Sequence, residues 1–153
     1  MIDYSALKTE LQTDPKSLGY APYLATGNNN ALANLLNEVH DSSSGTGDPE
    51  YEVTVNGVSV RDAMKKIVPS EYAALTEAKR DGWRDILVLA QIEGGLIPNT
   101  DTDIRSFIQD IWATTTTLAN FAELETRDGS RAEALFGADT VIDDDDIVRA
   151  MAS

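Results

Sequence analysis

The sequence predicts a mainly α fold, a compact bundle of short helices with a small β hairpin or clip. Three observations lead there. Apolar residues recur at helical spacing in most of the chain, most continuously at Ile104, Phe107, Ile108, Ile111 and Trp112. Oxygen-bearing cap residues stand just before those stripes. One segment, 51–55, instead alternates with β-branched residues as a strand does. The 153 residues fit a single helical domain, 1–153, with a flexible loop at 40–50.

In chain order, Asp3 caps a first helix on which Tyr4, Leu7 and Leu11 share a face. Asp14-Pro15 gives a second start signal, a cap oxygen followed by a residue already fixed at helical φ, and Gly19 interrupts it. Pro22 opens a short turn that Gly27 ends. Asn28, Asn29 or Asn30 then caps a helix carrying Leu32, Leu35, Leu36 and Val39. Residues 40–50 are turn formers with nothing apolar to anchor them.

After the 51–55 strand, Asn56-Gly57 is a two-residue hairpin signal, with Val58-Ser59-Val60 as a short return strand. Ser59 with Asp62 starts a helix through Ala63, Met64 and Ile67, and Pro69 stops it. Ser70 opens a turn over 71–75. Thr76 caps the longest helix, 77–93, with Trp83, Ile86, Leu87 and Ala90 on one side and Gly94-Gly95 as its stop. The 104–112 stripe follows. The threonines at 114–117 mark a kink or break, because β-branched side chains lose χ1 freedom in a helix. Leu118, Phe121, Ala122 and Leu124 resume the period.

Asp128-Gly129 reads as a turn, and Ser130 with Glu133 as a capping box opening a helix that Gly137 closes. Thr140-Val141-Ile142 is a brief strand. Asp143 caps a last helix bearing Ile147, Val148 and Met151. The 58–60 and 140–142 runs echo each other, and with 51–55 they are expected to build the β clip. Seven to nine short helical segments result.

Charge narrows the partners. Twelve Lys+Arg stand against 26 Asp+Glu, a net of −14. Such a surface repels phosphate backbones, whose affinity for proteins comes from Lys and Arg displacing counterions, so no nucleic-acid partner is expected. Anionic membranes are disfavoured in the same way, and the longest apolar run, 86–90, is far short of a span. No signal peptide is expected from an opening without basic and apolar regions. The absence of cysteine excludes disulfides, zinc–thiolate sites and thiol catalysis.

Each tempting chemical feature has a structural explanation. The four aspartates at 143–146 suit a divalent cation or a basic partner, but acids in a first helical turn also face the exposed N–H groups and the positive end of the dipole. Consecutive residues on a helix fan out rather than converge. Asn99, Asp101 and Asp103 copy the first ligand positions of a calcium loop, yet Ile104 replaces its glycine and Asp110 its glutamate. Helix capping by Asp101 or Asp103 accounts for them. His40 is the one histidine, beside Ser42, Ser43 and Ser44, and a triad would have to use it. Carboxylate pairs are too abundant to single one out. Gly94-Gly95 and Gly45-Thr46-Gly47 lack the lysine of a phosphate loop. Trp83, Trp112, Phe107, Phe121 and Phe136 sit on apolar stripes as core residues. No catalytic residue, no cofactor and no metal ligand is assigned, and no enzymatic activity is expected.

Two groups of residues carry a resemblance. Near the end stand Gly129 through Gly137 (Gly-Ser-Arg-Ala-Glu-Ala-Leu-Phe-Gly), Thr140-Val141, and Asp146-Ile147-Val148-Arg149-Ala150. Near the start stand Leu7, Thr13-Asp14-Pro15, Leu18-Gly19-Tyr20 and Leu35-Leu36-Asn37. Together they resemble a group of small proteins encoded by tailed bacteriophages, while the middle of the chain matches more loosely. The resemblance implies a virion structural or assembly protein of the capsid, neck or tail, in contact with other virion proteins in a ring or repeated array. The alternative is a soluble acidic accessory protein in the host cytoplasm, binding a basic phage or host partner.

Overall fold

The computed structural model describes residues 1–153. Ten α-helices and five short strands follow one another: α1 (Tyr4–Thr13), α2 (Ala21–Thr26), α3 (Asn29–Asn37), β1 (Val39–His40), β2 (Glu52–Thr54), β3 (Val58–Ser59), α4 (Val60–Lys66), α5 (Pro69–Ala74), α6 (Glu77–Ile92), β4 (Leu96–Ile97), α7 (Thr102–Trp112), α8 (Thr116–Ala122), β5 (Thr126–Ser130), α9 (Arg131–Phe136) and α10 (Asp144–Ala152). A 3-10 turn, Pro49–Tyr51, precedes β2. The fold is therefore mainly α with a small β component, as the periodicity requires.

The backbone forms two compact units. The first combines both ends of the chain, Met1–Val53 and Asp128–Ser153; the second is Thr54–Arg127. The chain leaves the first unit within β2 and returns within β5.

In the first unit α10 packs on α1 and α3, and α3 also packs on α9. Leu7, Leu11, Tyr20, Leu32, Leu36, Ala132, Ile142 and Ile147 form its core. β1 pairs antiparallel with the end of β5, Val39 opposite Ser130 and His40 opposite Gly129. The loop after β1 is closed on itself. Asp41 accepts from the Ser43 and Thr46 hydroxyls, Gly47 N–H donates to Ser43 O, and Ser42 donates to Asp128.

In the second unit α6 packs against α7 and β4, and α8 against α4 and α7. Its core centres on Trp83, Ile86, Ile111, Trp112 and Phe121. Trp112 meets both Trp83 and Phe121 edge-on, at 5.5 and 5.7 Å between ring centroids, while Trp83 and Phe121 stack at 5.4 Å.

The strand pairing corrects several expectations. Asn56-Gly57 does not close a hairpin, because β3 pairs with β4 (Val58 opposite Ile97) and β2 joins the sheet ordered β1-β5-β2. Residues 140–142 form no strand; Asn37 instead holds Ile142, accepting from its N–H and donating to its carbonyl. Asp128-Gly129 is not a turn but part of β5. A Cβ at Gly129 would lie 2.3 Å from Val53 Cγ2 and 3.0 Å from Tyr51 O, so only glycine fits this close approach. Asp14-Pro15 starts no helix. Asp14 ends α1 in the left-handed region and its carboxylate accepts from the N–H groups of Leu18 and Gly19.

Candidate functional site

The features singled out in the sequence do not assemble into a reactive centre. Asp143 caps α10, accepting from Asp146 N–H at 2.9 Å, and Asp146 accepts in return from Asp143 N–H, a complete capping box. Asp146 also accepts from the Tyr4 hydroxyl at 3.0 Å. Asp144 and Asp145 are exposed. Asp101 caps α7 through the N–H groups of Asp103 and Ile104. No group of three or more His, Cys, Asp or Glu side chains is placed to hold a metal ion.

His40 lies in β1, its ring tilted by 30° against that of Tyr51 with centroids 4.5 Å apart. Its Nε2 is buried without a hydrogen-bond partner. The nearby hydroxyls are engaged elsewhere, Ser42 on Asp128 and Ser43 on Asp41. No histidine–serine pair forms.

Two constellations escaped the sequence. The first is a charged network in the first unit. Arg131, the first residue of α9, is 4% exposed. It donates through Nε and Nη2 to the two oxygens of Glu10, each at 2.8 Å, and through Nη1 to Glu50. The Tyr20 hydroxyl donates to the same Glu10 at 3.3 Å. Lys16 pairs with Glu50 and, at 2.7 Å, with Asp48. The hydrogen bonds from Lys16 hold the Asp48 and Glu50 carboxyls below their usual range, with Arg131 adding to the effect on Glu50. Glu10, chiefly, raises the Arg131 guanidinium further, and burial pushes the Tyr20 phenol well up. Lys16 and Arg131 are held protonated and the Asp48 and Glu50 carboxyls ionised, which suits a structural lock rather than proton transfer. Only adjacency in space reveals it, since Glu10 and Arg131 lie 121 residues apart.

The second is a cleft of about 130 Å3 in the second unit. Val58, Ala63, Trp83, Ile97, Leu118 and Phe121 line it with apolar surface, and Asn99, Arg105, Gln109 and Glu125 supply its polar lining. Asn99 is fixed: its Oδ1 accepts from Gly57 N–H at 2.6 Å and its Nδ2 donates to Val55 O at 3.0 Å. Arg105 Nη2 donates to Glu125 Oε2 at 3.4 Å. The residue that imitates a calcium ligand in the sequence is therefore a clamp on the bend before β3, at one side of a pocket.

The chain matches no family model, no curated protein and no solved structure. No helix is long and apolar enough to cross a membrane.

Proposed function

We propose that the protein is a bacteriophage virion structural or assembly component, of the capsid, neck or tail, acting through contacts with other virion proteins in a ring or repeated array. Apolar side chains left on outer helix faces carry this reading. Val88 and Ile92, one turn apart on α6, are 57% and 77% exposed; Val148 and Met151 on α10 are 52% and 40% exposed. α6 buries its opposite face through Trp83, Ile86 and Ala90, and on α10 the exposed pair flanks the buried Ile147 and Ala150. Contiguous exposed apolar patches are a feature of surfaces that other proteins cover, and these two pairs are the candidates for such contacts on this chain. Support for the phage origin comes from the resemblance, whose segments all belong to the first unit.

Mass spectrometry of purified particles, with no tag on the protein, tests the proposal. Its presence in particles at a fixed stoichiometry is the expected result. Abundance in infected cytoplasm with absence from particles would overturn it.

A second reading, the acidic accessory protein with a basic partner, is favoured by the distribution of charge. The first unit holds four Lys+Arg and fifteen Asp+Glu, a net of −11; the second holds eight and eleven, a net of −3. An opposite field steers a basic partner to the first unit. Such binding weakens steeply with salt, whereas particle-bound protein resists it.

A further inference from the structure

The cleft of the second unit carries an inference about what the partner presents. Its volume, about 130 Å3, suits one ring: an apolar cavity of about 150 Å3 accommodates benzene. Trp83 and Phe121 give it aromatic walls, on which a further ring packs offset or edge-on. The polar lining selects the substituent. Arg105 and Glu125 are separated by 3.4 Å, a long hydrogen bond. The guanidinium only donates and the carboxylate only accepts, so a group serving both must accept from one and donate to the other. A phenolic hydroxyl does that. A carboxylate is opposed by Glu125, an ammonium by Arg105, and an unsubstituted ring satisfies neither.

We propose that this cleft is the socket for one tyrosine side chain of a partner protein, its ring against Trp83 and Phe121 and its hydroxyl between Arg105 and Glu125. The proposal rests on the protein-contact reading above and names the partner's anchor. A site for a single ring is smaller than ordinary small-molecule pockets. Rings delivered by a protein segment are the anchors around which interfaces form, and tyrosine brings large area with few rotors to immobilise.

Titration of the full chain, read by NMR at the Trp83 indole N–H, tests it. The probes are p-cresol and N-acetyl-tyrosinamide, with toluene and N-acetyl-phenylalaninamide as rings lacking the hydroxyl. Both phenols are expected to give a saturable shift and to bind about fivefold more tightly than their hydroxyl-free counterparts, the equivalent of one net hydrogen bond. Gln109→Trp, at an exposed position on α7 lining the cleft, is expected to abolish binding with the fold intact. Glu125→Leu is expected to erase the preference for phenols.

No saturable shift with any probe would overturn the socket. Equal binding of toluene and p-cresol, or undiminished binding by Gln109→Trp, would also overturn it. Binding of p-cresol without N-acetyl-tyrosinamide would overturn the protein-borne occupant and make the cleft a site for free phenols. Particle composition is measured separately, so a failed socket and a failed assembly role give different results.

Discussion

Arg131 shows what the charged residues of this chain do when they are buried. Three of its nitrogens meet carboxylate oxygens, and Glu10, itself 4% exposed, takes two of those bonds. Arg131→Met leaves Glu10 buried without its cation, and breaking a buried pair from one side costs about 3–5 kcal/mol. Urea denaturation is expected to show a loss of that size. The double variant Glu10→Leu with Arg131→Met is expected to recover most of it, since an apolar pair of similar volume leaves no charge stranded. A second single-residue prediction concerns Asn99. Its amide satisfies Gly57 N–H and Val55 O from 42 and 44 residues away. Asn99→Ala removes both partners, and a buried polar group left unpaired costs about 1–3 kcal/mol. A fall in urea midpoint with an unchanged slope is the expected signature.

At the scale of elements, the helix starts were legible and the strand pairings were not. Asp3, Asn28, Thr76, Asp101, Ser130 and Asp143 all cap the helices their positions announce. A cap bonds within two or three residues, so the sequence contains the whole interaction. The break at 114–117 was local only in part, because Glu71 lies 45 and 46 residues from the threonines it holds. Thr114 sits at φ 57, Thr115 caps α8, and Glu71 accepts from the N–H groups of Thr116 and Thr117. Pairing is different, because a strand's partner lies elsewhere in the chain. Asn56-Gly57 and Asp128-Gly129 carry the residues of hairpin turns, yet one is clamped by Asn99 and the other is glycine because Val53 crowds it. The charged network and the cleft were hidden for the same reason. The structural explanation of the 143–146 aspartates makes a prediction here. Asp143→Ala removes the cap of α10 and is expected to lower stability by about 1 kcal/mol, whereas Asp144→Asn and Asp145→Asn stay within about 0.5 kcal/mol. Thermal unfolding of the three variants separates a cap from a generic acidic surface.

For the whole molecule, charge is spread unevenly and its balance changes with pH and salt. Asp41, Asp48, Glu50 and Glu71 all titrate below their ordinary values in the folded chain. A depressed folded pKa contributes stability that is present above the unfolded value, 3.8 for Asp and 4.5 for Glu, and is lost as pH falls through the folded one. Tm is therefore expected to drop between about pH 5 and about pH 3. Lys16→Met removes the leading cause of the Asp48 and Glu50 shifts and is expected to flatten that drop. Salt acts in the opposite direction on folding. A unit of net −11 repels itself, and screening that repulsion compacts it. Raising ionic strength from about 0.05 M to about 0.5 M shortens the Debye length from roughly 14 Å to about 4 Å, which silences surface charges beyond contact distance. Tm is expected to rise over that interval. Association through the apolar faces of α6 and α10 is expected to hold or strengthen, while binding of a basic partner to the first unit falls. Sedimentation of the protein with purified particles across the same salt range decides between the two: retention at high salt fits the apolar contact, and release fits the electrostatic one.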